Sequence, residues 1–121
     1  MPTCRLNERI DEVRKQVRAA QWDACVVVNE ESVVLGLLRE EELNRGGNDA
    51  IEAVMRPGPS TFRPNVPIEE MARFMTDHDL PNSPITTSDG RLVGLLLRED
   101  AVRSAIEHHA HHAHDEDDEE Q

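Results

Sequence analysis

Five of the six histidines fall within seven residues, His108, His109, His111, His112 and His114, and an acidic run follows at once. Imidazoles and carboxylates are good ligands for Zn²⁺, Ni²⁺ or Cu²⁺, and a His-rich tract can capture such ions without a fold. On a continuing helix His108, His111 and His112 would share a face at i, i+3 and i+4. The competing reading is a solvated, disordered tail, since a flexible tract binds many metals weakly and must be ordered to do so. His78 stands alone and reads as a surface or packing residue. Cys4 and Cys25 lack CxxC spacing and are too few for a disulfide framework, so they read as small buried hydrophobes. There is no nucleophile elbow and no phosphate-cradling glycine loop, and Asp77 and Asp79 have no partner base. These residues predict a protein that is not an enzyme.

The charge is unevenly spread. The chain carries 13 basic and 25 acidic side chains, a net −12. Residues 107–121 hold seven of the acids and no Lys or Arg, which leaves −5 on residues 1–106. The tail is too polar to fold on its own. With an acidic body and three aromatics (Trp22, Phe62, Phe74), the chain is poorly equipped to attract phosphates or stack bases, so no nucleic-acid partner is expected. No apolar run approaches the ~20 residues of a membrane span, and the N-terminal residues lack an apolar signal core; no membrane partner and a cytoplasmic location are the expectation.

The sequence repeats itself at a period of 58. A gapless match joins residues 3–45 to 61–103, with ten identities, among them Arg5/Arg63, Gly36/Gly94, Leu37/Leu95, Leu38/Leu96 and Glu41/Glu99. Each half reads alike. Ile10, Val13, Val17 and Ala20 mark one face of a helix, as do Ile68, Met71, Ala72 and Met75, with Pro67 suited to the first helical position. Cys25 to Val28 and Pro84 to Thr87 read as strands. Turns at 29–32 and 88–91 follow, the second bearing an Asp-Gly hairpin signal. Val33 to Leu38 and Leu92 to Leu97 are apolar on both faces and should be covered. Short helices close the halves at 39–45 and from 98 to about 108. The expected units are repeat 1 (1–46), a connector with a short helix at 50–55 (47–59), repeat 2 (60–106) and the tail (107–121). About 50 residues are marginal alone, so the halves should pack sheet to sheet with pseudo-twofold symmetry, leaving crevices between strand ends and helix starts.

The runs Val54-Met55-Arg56-Pro57, Thr61-Phe62-Arg63-Pro64, Pro67-Ile68-Glu69-Glu70-Met71, Pro84-Ile85 and Asp89-Gly90-Arg91-Leu92-Val93-Gly94-Leu95, with Asp100 six residues after Gly94, resemble the CBS (cystathionine-β-synthase) domain. Residues 54–103 fit at almost every point and residues 3–45 more loosely. The resemblance implies a tandem pair of α+β repeats, each β-α-β-β-α. It also implies a regulatory sensor that binds an adenosine-containing ligand (AMP, ADP, ATP or S-adenosylmethionine) in an inter-repeat crevice. Such a module would need no cofactor, would assemble as a homodimer and would act on an unknown client in trans.

In the family a Gly-x-x-Thr/Ser-x-x-Asp stretch sets the Asp against both ribose hydroxyls, which suits a carboxylate accepting two hydrogen bonds. Here Asp100 is present but Leu97 replaces the hydroxyl residue. In the first half Arg39 stands for the hydroxyl residue and Glu42 for the Asp. Nucleotide-binding members often place a base before the strand's Pro. Those positions hold Pro81 and Asn82, and Asp23 and Ala24, so Arg39, Arg63 and Arg98 are the candidate substitutes. Thr61, Phe62, Arg63, Pro64, Ser83 and Pro84 complete the expected ligand set. Asp100 reads equally as a helix N-terminal acid favoured by the backbone dipole, and Arg63 and Arg98 as surface cations. A ligand-free interaction module and metal binding through the tail are the alternative functions.

Overall fold

The period-2 and period-3.6 patterns become elements at nearly the expected places in the computed structural model, which describes residues 1–108. Repeat 1 runs β1 (Thr3–Cys4), α1 (Ile10–Ala19), β2 (Cys25–Val28), β3 (Val34–Leu38) and α2 (Glu40–Leu43). The connector holds α3 (Ile51–Val54) and β4 (Arg56–Pro57). Repeat 2 runs α4 (Ile68–Asp77), β5 (Asn82–Thr86), β6 (Leu92–Leu97) and a helix over residues 98–108, α5. Phe62 bridges Ile85 in parallel and is the reduced counterpart of β1, so both halves follow the β-α-β-β-α order.

α1 and α4 are each held by an apolar stripe. Ile10, Val13 and Val17 of α1 are buried, whereas Ala20 caps the C-terminus and is exposed, so the stripe stops one turn earlier than its spacing predicts. Asp11 and Glu12 in the first turn and Arg18 in the last complement the helix dipole. On α4, Met71, Ala72 and Met75 are buried, and Pro67 takes the N-cap, one residue before the expected position. Pro67 has no N–H to leave unpaired at this helix start.

β1 lies parallel to β2, β2 antiparallel to β3 and β3 antiparallel to β4, giving a four-stranded sheet; β5 and β6 form a separate antiparallel pair. The two hairpins turn alike, through Ser32 at φ 66° and Gly90 at φ 86°. Two hydrogen bonds join the hairpins. Val34 N–H donates to the Gly90 carbonyl and Leu92 N–H to that of Ser32, each at 2.9 Å. The two donors, Val34 and Leu92, are 58 residues apart, and so are the two acceptors, Ser32 and Gly90, so exchanging the repeats turns one bond into the other, which is the signature of the pseudo-twofold axis.

Three apolar clusters follow. One lies under α1 and includes the buried free thiols of Cys4 and Cys25, as expected. The Cys25 sulfur, and then burial, push the Cys4 thiol far above its ordinary pKa, so it stays protonated. A second cluster lies under α4 and α5. The third, with Val26, Val28 and Leu37 packed on Leu92 and Leu95, is the sheet-to-sheet seam. The expectation that both second strands would be covered holds for β3 and fails for β6, where Val93 is 56% exposed. β4 covers only the β3 edge.

Candidate functional site

The strand ends and helix starts of the two repeats meet around a cavity of about 460 Å³. Repeat 1 contributes Asp23 before β2 and Arg39, Glu40 and Glu41 at the start of α2; repeat 2 contributes Asp79, Pro81, Asn82 and Arg98; Arg56 enters from β4. Asn82 and Leu97 are opposite each other in the β5–β6 ladder, and Arg98 N–H donates to the Pro81 carbonyl at 2.9 Å. The start of α5 is thereby tied to the start of β5, which fixes Arg98 in the crevice wall, with Asp100 two residues further along the helix.

Three guanidinium groups reach this cavity, and their partners differ. Arg98 pairs with Asp79 at 2.8 Å. Arg56 pairs with Glu41 at 2.6 Å and Glu42 at 2.9 Å, and the hydrogen bond to Glu42 is the main reason its pKa rises. Arg39 crosses from repeat 1 to repeat 2, donating to the Asn82 side-chain oxygen at 3.0 Å and the Asn82 carbonyl at 2.9 Å. It makes no ion pair among the described residues. Burial, and then the charge of Arg56, lower its pKa from the usual arginine value. The Arg39 cation is therefore held by neutral acceptors at a part-buried position.

The expected ligand residues fall into separate groups. Arg39 and Arg98 line the 460 Å³ cavity, and Leu97 and Asp100 stand at the adjoining helix start. Asp100 keeps 43% of its side chain exposed and pairs with Arg103 at 2.6 Å. Thr61 and Arg63 instead line a second cavity of about 370 Å³, where Arg63 donates to the Thr86 hydroxyl at 2.8 Å. Phe62 packs on Phe74 edge to face, with centroids 5.5 Å apart. Ser83 is fully buried and donates to the Ser60 carbonyl at 2.7 Å; Pro84 is buried and Pro64 exposed. Glu42 is 8% exposed and accepts from the Arg39 N–H at 2.9 Å as well as from Arg56, so its carboxylate is committed to the fold.

Two residues at this crevice were not foreseen, Asn82 as the acceptor of Arg39 and Arg56 as the partner of Glu42. A signal for Asn82 existed, since a polar residue at the start of a strand that is to be buried must find an internal partner. Of the histidine tract, His108 contacts Glu69 at 3.3 Å; His109, His111, His112 and His114 lie outside the described residues.

The family model for the CBS domain matches residues 51–107. Those residues form a CBS domain. It resembles CBSX2 of Arabidopsis thaliana, solved in complex with AMP, at a TM-score of 0.78 and 19% identity, over 87% of each chain. The CBS domain pair of MJ0100, solved with 5′-methylthioadenosine and S-adenosyl-L-methionine, superposes with a TM-score of 0.76 at 21% identity, over 84% of this chain and 88% of that one. Both likenesses establish a shared tandem fold. Homoserine O-acetyltransferase of Methanohalobium evestigatum is 27% identical over 97 residues, 78% of this chain and 20% of that protein. The chain spans about a fifth of the length of the curated relatives it matches. Among its described residues no helix is long and apolar enough to cross a membrane.

Proposed function

We propose that this CBS pair is a non-catalytic regulatory module that binds an adenosine-containing ligand of the AMP, ADP, ATP or S-adenosylmethionine class. The ligand occupies the 460 Å³ crevice and its adjoining helix start. Asp100 accepts from the ribose hydroxyls, and Arg39 faces the phosphate or other anionic end. One observation carries the reading: a part-buried Arg39 cation with only neutral acceptors stands across the crevice from the α5 start that bears Asp100. An incoming anion gives that guanidinium a charged hydrogen-bond acceptor in place of neutral ones, and such charge-assisted bonds are about twice as strong. The ligands of CBSX2 and MJ0100 support the adenosine class.

Because Arg39 belongs to repeat 1 and Asp100 to repeat 2, occupancy favours one packing of the halves over others. That differential affinity is how binding becomes a signal to a client in trans. The apolar groove between α4 and α5, where Ile106 is 65% exposed, supports assembly as a homodimer. Thermal-shift titrations with AMP, ADP, ATP, S-adenosylmethionine and NADH test the reading. A bound ligand raises the melting temperature with concentration, and the increase is expected to disappear in Arg39→Gln. Flat curves to millimolar ligand would sink it.

A further inference from the structure

The crevice between the repeats presents charges of both signs, and they do not cancel. The carboxylates of Asp23, Glu40, Glu41 and Asp79 line it beside the guanidiniums of Arg39, Arg56 and Arg98. Two pairings close within the wall, Arg98 with Asp79 at 2.8 Å and Arg56 with Glu41 at 2.6 Å. Arg56 also holds Glu42 at 2.9 Å, so its charge is matched from two sides. Left over are the Arg39 cation and the carboxylates of Asp23 and Glu40. Both acids are exposed, and neither carboxylate has a hydrogen-bond or ion-pair partner among the described residues. The surplus belongs to repeat 1. At the 58-residue period Asp23 and Glu40 correspond to Pro81 and Arg98, so repeat 2 offers no acid at either position.

The wall is therefore net negative, with one cation held by neutral acceptors. The low-dielectric walls of a cleft focus such a field on whatever enters it. A phosphate chain carries more negative charge than one guanidinium can match, and the excess faces two acids that repel it. S-adenosylmethionine brings a different set of charges to the same place, one carboxylate together with an ammonium and a sulfonium.

We infer that the crevice selects S-adenosylmethionine over AMP, ADP and ATP, and that Asp23 and Glu40 are the residues that select it. This inference rests on the adenosine reading of the crevice and adds to it the charge of the ligand's other end. The adenosine end stays at the α5 start with Asp100. The ligand's carboxylate pairs with Arg39, and its ammonium and sulfonium face Asp23 and Glu40, which have no cation of their own. Because both acids are exposed, dissolved salt screens them and the selection weakens as ionic strength rises.

Isothermal titration of S-adenosylmethionine, 5′-methylthioadenosine, AMP and ATP into the full chain, without divalent cations, is the test. 5′-Methylthioadenosine keeps the adenosine and lacks the charged arm, so it reports the adenosine end alone. S-adenosylmethionine is expected to bind about tenfold or more tightly than AMP, with ATP the weakest of the four. In the double variant Asp23→Asn with Glu40→Gln, S-adenosylmethionine should weaken and AMP tighten until the gap closes. Binding of 5′-methylthioadenosine to the same variant shows that its fold and adenosine end are intact. AMP or ATP binding as tightly as S-adenosylmethionine to the wild-type chain would overturn the inference and leave the adenosine reading standing. So would a gap that neither the double variant nor added salt narrows. If none of the four compounds binds, the adenosine reading itself fails and this inference falls with it.

Discussion

Glu42 and Asp100 stand at equivalent positions of the two repeats, and the structure uses them differently. Glu42 is 8% exposed and held by Arg56 and by the Arg39 N–H. Asp100 is 43% exposed and among the described residues its carboxylate pairs with Arg103 from its own helix, an i,i+3 pair of the kind that contributes a few tenths of a kcal/mol. The cause lies outside both repeats. The connector sends β4 along β3, so one sheet edge, one glycine hollow and one carboxylate are closed, while their counterparts in repeat 2 are open. A repeated sequence thus yields one repeat that is mainly scaffold and one whose helix start can receive something else.

The strongest way to break this comparison is at the paired glycines. Gly36→Ala places a Cβ against the Met55 sulfur and 2.9 Å from the Arg56 carbonyl oxygen, and backbone cannot yield cheaply. A loss of about 1–3 kcal/mol or more is expected from urea unfolding. Gly94→Ala meets open space and should change stability by about 0.5 kcal/mol or less. Equal losses would mean that the two edges are alike.

The paired acids come next. Glu42→Gln should cost about 1–3 kcal/mol, because it weakens bonds from a nearly buried carboxylate to Arg56 and the Arg39 amide. Asp100→Asn should leave the unfolding midpoint within about 0.5 kcal/mol of wild type. A smaller effect follows from the hairpins. Ser32 holds φ 66° where Gly90 holds φ 86°, and only glycine adopts this region without steric cost. Ser32→Gly should therefore stabilise the chain by up to about 1 kcal/mol, measured by thermal melts, and Gly90→Ser should destabilise it.

The smallest effect is at the hairpin acid. Asp89 accepts from the Thr87 hydroxyl, its main stabilising contact, and its carboxyl is held below the ordinary pKa. A depressed folded pKa adds stability above the usual carboxylate range and loses it as pH falls through the folded value. The melting difference between wild type and Asp89→Asn should thus be present near neutral pH and close on acidification. A constant difference would assign the effect to packing.

Much of this architecture was legible in local pattern. The 3.6 spacing of Val13 and Val17 and of Met71 and Met75 marks buried helix faces, the Asp-Gly at the second turn marks a hairpin, and the 58-residue period marks the twofold axis. The burial of Cys4 and Cys25 also followed from their number and spacing. What escaped depends on contacts distant in sequence. The covering of β3 but not β6 is decided by the path of the connector, which a strand's own residues do not record. Arg39 finds its acceptors 43 residues away. The family motif groups Thr61 and Arg63 with Arg39 and Arg98, yet the fold places the two pairs in different cavities.

The central claim is that the open helix start of repeat 2 is the adenosine-binding position. Isothermal titration of AMP and of S-adenosylmethionine into wild type, Asp100→Asn and Glu42→Gln tests it most directly. The expected result is one saturable site for at least one of these ligands, weakened tenfold or more in Asp100→Asn and retained in folded Glu42→Gln. Binding that survives Asp100→Asn unchanged but is lost in folded Glu42→Gln would place the ligand on the closed repeat and contradict the account.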